Sequence, residues 1–315
     1  MSDEVNAEDA AAPVSPDGSE APAPADSEID DANDLQGFHF KRLLRSPLTW
    51  LAAAVLAIGA GVAGAIFVGP VIGAAAAAGA VVLVVAVVFF MADSQAENAF
   101  FDMYAQQRDR KLTRSGDLRG YTPLLRKGDE RSADQIMRGP LAKGTGGGDG
   151  IGGTLALYTY TDVYHDKNGR HESHFHFTVA ITKVEEVAGL VPELICNRKF
   201  GFRAFNKLED AFRKNERVTL ESLELDDRFE IFVDEKQDPN PIRQIFSPTF
   251  MVWLCEETPE GFAFELVGGV LVCNIKGHKK KASELDAMCD GIAGVARRLR
   301  EEAAEGSSQP AQQPI

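Results

Sequence analysis

The sequence predicts an α+β fold: an antiparallel sheet of six to eight strands covered by helices, tethered by a two-helix transmembrane hairpin. Three observations carry that prediction. Residues 48–91 contain no Asp, Glu, Lys, Arg, His, Asn or Gln. Residues 154–164 and 170–184 are rich in aromatic and β-branched side chains, and Asn168-Gly169 lies between them, a strong hairpin signal. Leu285, Met288, Ile292, Val295 and Leu299 form one apolar stripe at helical spacing.

The uncharged run comes first. A bilayer core takes about 20 apolar residues as helix, so the run as one straight helix is about twice too long. Gly69-Pro70 interrupts it near the middle, which predicts spans at 48–68 and 71–91. Before it, Lys41, Arg42 and Arg45 alternate with Phe38, Phe40, Leu43 and Leu44. An interfacial segment with those cations against lipid headgroups is expected, making 37–92 one membrane unit. Cationic flanks favour the cytoplasm, so the expectation is an integral, multi-pass protein of the cell (plasma) membrane with both termini cytoplasmic. Gly59, Gly61, Gly64, Gly69, Gly73, Gly79 and Ala74 to Ala78 let helix backbones approach closely. That surface is expected to pack the two spans together or to support a homo-oligomer through the Gly/Ala-rich hairpin. Neither span carries an ionisable residue, which argues against a pore.

The formal charge of −14 is unevenly spread. Residues 1–37 hold eleven acids and no Lys or Arg. Segment 1–36, made of Ala, Pro, Asp, Glu and Ser, is expected to be a disordered acidic tail, and 303–315 a second disordered tail. Between them, 93–302 is long enough for one cytoplasmic α+β domain. The four cysteines are far apart with no C-x-x-C, which suits reduced thiols rather than a disulfide framework or zinc ribbon.

Within the domain a helix is expected over 93–111, then short ordered pieces at 121–125 and 136–141. In the hairpin, taking Asn168-Gly169 as the loop sets Tyr160 opposite Phe177 and Tyr158 opposite Val179, with the aromatic face as core. A strand at 191–199 and an amphipathic helix at 202–214 follow. Strands 217–225 and 228–234 are expected to turn at Asp226-Asp227. Ser247-Pro248 predicts a helix start, because Ser caps and Pro suits the first turn, giving a helix over 248–256. Strands at 262–266 and 270–275 join at Gly268-Gly269, and Ser283 opens the last helix.

Three motifs bear on chemistry. Gly148, Gly150 and Gly153 spell G-x-G-x-x-G, but the run opens a strand rather than a helix and lacks a Walker lysine, so a linker is the reading. His174 and His176 are two apart on a strand and point the same way, a candidate metal pair. That register sets them opposite Val163 and Thr161, and no third ligand completes the set on that face. Lys279, Lys280 and Lys281 end the densest basic run; a solvated loop or contact with anionic headgroups is expected there. No cofactor and no nucleic-acid partner is expected.

The spacing of Phe100-Phe101-x-x-Tyr104-Ala105, Thr122-Pro-Leu-Leu-Arg-Lys-Gly128, Gly153-Thr-Leu-Ala-Leu-Tyr-Thr-Tyr160, Leu220-Glu-Ser222, Asp227-Arg-Phe-Glu-Ile231 and Phe246-Ser-Pro-Thr-Phe250 resembles that of uncharacterised bacterial membrane proteins with a two-helix transmembrane anchor and a cytoplasmic domain of unknown function. The resemblance spans about residues 40–302. It implies the anchor and a single domain, and no activity. The functional expectation is a non-enzymatic, membrane-anchored module that binds the lipid bilayer and an unknown protein or lipid partner. The alternative is a membrane-bound enzyme, metal-assisted through His174 and His176.

Overall fold

The computed structural model describes residues 54–308 apart from 56, 61, 64, 67, 68, 144–149, 168, 200–214 and 239. Its elements are α1 (Pro70–Gln107), β1 (Lys111–Gly116), α2 (Pro123–Arg126), β2 (Glu130–Ala142), β3 (Ile151–Asp166), β4 (Gly169–Lys183), a 3-10 turn (Glu185–Val187), β5 (Glu193–Arg198), β6 (Asn215–Val218), α3 (Leu223–Arg228), β7 (Phe229–Asp234), α4 (Asn240–Ile245), α5 (Pro248–Glu256), β8 (Ala263–Val267), β9 (Val270–Lys276) and α6 (Ala282–Ser308). The fold is α+β. Among the described residues, nine strands join one sheet in the order β1-β2-β3-β4-β9-β8-β5-β7-β6, and every adjacent pair is antiparallel.

Apolar residues cover both faces of the sheet, so alternation alone does not reveal the main core. On one face, Leu155, Leu157, Ala180, Leu271 and Cys273 meet α6 and the end of α1. The α6 stripe Leu285, Met288, Ile292, Val295 and Leu299 is fully buried, and each such side chain contributes about 1.5–3 kcal/mol. On the other face, Ala156, Tyr158, Tyr160, Phe177 and Val179 sit under the segment after β1, through Leu118, Leu124 and Leu125. The aromatic face is therefore the smaller of two cores.

The central hairpin closes on an Asp166–Gly169 pair, so Tyr160 opposes Phe175 and Tyr158 opposes Phe177. The register lies two residues from the expected one. A shift of two keeps every side chain on its predicted face, because the strand repeat is two.

Several local expectations are corrected. β2 runs 13 residues where only 136–141 was expected, because its opening Glu130 to Ser132 is polar and exposed. Gln135 at φ 51° marks the bulge that shifts its register between Asp134 and Met137. Helix α3 replaces the expected Asp226-Asp227 turn. Ser222 caps it by accepting from the Leu225 N–H, with Glu224 and Asp226 in the first turn. The expected helix at 202–214 lies outside the described residues, as do Lys41, Arg42 and Arg45.

The membrane expectation is corrected as well. Among the described residues no helix is long and apolar enough to cross a membrane. That finding overturns the transmembrane hairpin and the multi-pass plasma-membrane placement with both termini cytoplasmic. Gly69, at φ 128°, and Pro70 do start a helix. That helix does not stop at 91. It continues unbroken to Gln107, so its apolar first part and its domain-packed last part, with Phe100 and Phe101 buried, are one element. The expected first span, 48–68, falls partly outside the described residues.

Candidate anion-binding groove

A groove of about 450 Å³ lies between the segment after β1 and the end of the β2-β3-β4 sheet. Its floor is Gly152, Gly153, Thr154, Ile181, Thr182 and Val270. Its wall is Asp117, Leu118, Arg119 and Tyr121, and its rims carry Arg138, Lys183 and Arg300.

Each part is held for a local reason. β3 and β4 approach so closely that a Cβ at Gly153 would lie 2.2 Å from the Ile181 carbonyl oxygen. Thr182 Oγ1 donates to the Gly152 carbonyl at 2.7 Å, fastening the floor. The wall is pinned by buried Leu118, Leu124 and Leu125. Arg126 Nε donates to the Gly120 carbonyl at 2.9 Å and a second Arg126 N–H to the Tyr121 carbonyl at 2.6 Å. At α2 the Leu124 N–H donates to Glu265 Oε2 at 3.0 Å. Burial pushes the Glu265 carboxyl above the ordinary carboxylate range, while the Leu124 N–H acts in the opposite sense.

The groove is cationic. Lys183 pairs with Glu185 at 2.8 Å and Arg300 with Glu186 at 2.6 Å. The Glu185 carboxylate holds the Lys183 ammonium above its ordinary value. Among the described residues, Arg119 and Arg138 have no ion-pair or side-chain hydrogen-bond partner. Lys111 is the cross-strand partner of Arg138, so two cations face each other across β1 and β2. Like charges directly opposite are destabilising. Asp117 is the carboxylate in the wall. Arginine forks match carboxylates and phosphates in two-point contact, so the arrangement suits an anionic ligand.

The residues singled out from sequence lie elsewhere. His174 Nδ1 is 2.9 Å from Thr161 Oγ1, and His174 Nε2 is 3.7 Å from Glu172. His176 Nδ1 is 3.0 Å from Thr159 Oγ1. Both histidines thus take cross-strand threonines two places from the expected partners. A histidine hidden in the basic run joins them: His278 Nε2 lies 3.2 Å from the same Thr159 hydroxyl, and its ring is 4.8 Å from that of His176. Burial lowers the His278 pKa. Among the described residues no group of three or more His, Cys, Asp or Glu is placed to hold a metal. In the basic run, Lys279 pairs with Glu284 at 2.9 Å and Lys280 with Glu97 at 2.6 Å, and Lys281 is also engaged. These lysines tie β9 to α1 and α6.

A second polar cluster was not visible in the sequence. Arg108 lies over the Tyr104 ring at 3.9 Å and pairs through two N–H groups with Asp286. Tyr104 Oη donates to Asp286 at 2.9 Å. Arg110, 8% exposed, donates to the Pro140 carbonyl at 2.8 Å and to Tyr104 Oη at 3.2 Å, with Cys289 Sγ 3.4 Å away. Burial raises the Cys289 thiol above its ordinary range. The cluster thus joins α1 to α6. Its members are about 180 positions apart in the chain, beyond any spacing rule.

No known family matches the chain, and no curated protein matches it. Among solved structures, the crystal structure of the mycobacterial trehalose monomycolate transport factor A, TtfA, is similar over 69% of this chain and 98% of that chain. The identity is 8% and the TM-score 0.41. A likeness of that size carries no functional argument.

Proposed function

We propose that the folded part of this chain is a non-enzymatic binding module whose groove takes an acidic segment of a protein partner. The observation that carries this reading is that Arg119 and Arg138, which line the concavity, have no counter-charge among the described residues, and that Lys111 lies opposite Arg138 across β1 and β2. Cross-strand repulsion there lowers stability, and an incoming carboxylate would relieve it. The apolar floor at Ile181 and Val270 favours a segment that mixes acids with an aliphatic side chain.

The test pairs two measurements on the full chain. In the first, fluorescence anisotropy follows a labelled nine-glutamate peptide. Exposed charge pairs contribute about 0.2–1 kcal/mol each, so Arg119→Glu with Arg138→Glu should weaken binding by about 2- to 30-fold. Added salt should weaken the wild type in the same direction. In the second, Arg138→Gln should raise folding stability by about 0.2–1 kcal/mol while lowering peptide affinity. Peptide binding indifferent to both changes would remove this reading.

A further inference from the structure

We propose that the pocket beside Arg110 is a second binding site, for the phosphate group of a small phosphate monoester. The pocket, about 580 Å³, is bounded by the turn after α1, the end of β2 and Asp286 of α6. It lies on the α6 face of the sheet, whereas the groove's wall packs on the other face through Leu118. The observation that points to an anion is a buried cation with no counter-ion. Arg110 is 8% exposed and lines the pocket, yet among the described residues no carboxylate pairs with it. Its guanidinium donates to the Pro140 carbonyl and to Tyr104 Oη, which are dipoles. Burial raises the Tyr104 phenol and the Cys289 thiol above their ordinary ranges, so neither supplies a negative charge at neutral pH. The Asp286 carboxylate is taken by Arg108.

Helix α1 ends at Gln107, and its last carbonyls offer Arg110 only about half a negative charge. A charge removed from water without a full counter-charge is destabilising, and an anion in the open pocket relieves it. Lys143 lines the same pocket; it is exposed and has no partner among the described residues. Arg110 and Lys143 thus present two un-neutralised cations to one small space. A phosphate monoester carries about two negative charges at neutral pH, where a carboxylate carries one, and its oxygens suit the arginine fork. Leu141 and Ala142 in the lining give an apolar surface to the organic part of an ester. Asp109 is the opposing charge: it lines the pocket, is exposed and has no cationic partner among the described residues.

The experiment is calorimetric titration of glycerol 3-phosphate, and separately of inorganic phosphate, into the full chain at low salt. Glycerol 3-phosphate should bind the wild type more tightly than inorganic phosphate does. Arg110→Gln should weaken it by about tenfold or more. Two variants of exposed residues keep the test decisive if Arg110→Gln fails to fold. Lys143→Gln should weaken binding by about threefold, and Asp109→Asn should tighten it by a similar factor; asparagine also tolerates the φ of 53° at that position. Arg119→Ala with Arg138→Ala should leave the affinity unchanged. Affinity indifferent to Lys143 and Asp109, or no binding by the wild type, would overturn the site. Loss in the Arg119 and Arg138 variant would place the phosphate in the groove and overturn it equally. Equal affinity for the two ligands would overturn the ester assignment, and displacement of either by the nine-glutamate peptide would overturn the choice of phosphate over carboxylate.

Discussion

Glu265 shows how one buried charge sets a pH response. It is 2% exposed, and burial raises its folded pKa above the ordinary carboxyl value. A raised carboxyl contributes stability that is complete below its unfolded pKa and is lost as pH rises through the folded value. Glu265→Gln keeps an acceptor for the Leu124 N–H and removes the charge. The variant should be more stable than wild type in urea unfolding at neutral pH, with the gap closing by about pH 4. A gap that widens in acid would contradict this account. Gly153 makes the opposite point, since its strictness is purely steric. Alanine there drives Cβ into the Ile181 carbonyl, and Gly153→Ala should cost about 1–3 kcal/mol in the same assay.

At the scale of elements, legibility followed how local the determining physics was. Helix α5 starts and ends where Ser247-Pro248 predicted, because the cap is decided within three residues: the Phe250 N–H finds the Ser247 hydroxyl. The stripe of α6 was equally readable and is fully buried. Met288→Ala should therefore cost about 2–5 kcal/mol, read by urea unfolding. β2 was legible only in its apolar second half, because pairing with β1 and β3 rather than its own composition makes Glu130 to Asp134 a strand. The hairpin's faces were readable from alternation. Its register was not, because the closing pair is Asp166 with Gly169 rather than the pair that Asn-Gly chemistry favours. The groove was invisible for a related reason. Arg119, Arg138, Lys183 and Arg300 come from four separate places in the chain, and only the sheet order assembles them. The Tyr104–Arg108–Arg110–Asp286 cluster should make the end of α1 cooperative with α6. Arg110→Ala leaves the Pro140 carbonyl without this donor, and should speed hydrogen exchange in the last turns of α1 more than in β8.

For the molecule as a whole, the described chain divides into a sheet domain and a helix that leaves it. Composition alone predicts two bilayer spans within 48–91. The structure instead runs the second apolar stretch straight into the domain as α1, and no described helix meets the requirements of a span. A local measure of apolarity does not register where a helix ends. Helix α1 ends at Gln107 with Arg108 as its C-cap, and Asp109 beyond it, at φ 53°, turns the chain into β1. What the domain offers a partner is set by charge distribution rather than net charge. The chain is acidic overall at −14, with eleven of its acids in residues 1–37, while the groove at the end of the central strands is cationic. The most direct test of that claim is the NMR response of arginine Nε–Hε groups as the nine-glutamate peptide is titrated into the full chain at low salt. Shifts confined to Arg119, Arg138 and Arg300 are the predicted result. Shifts centred on Arg108 and Arg110, or none in any arginine, would contradict it.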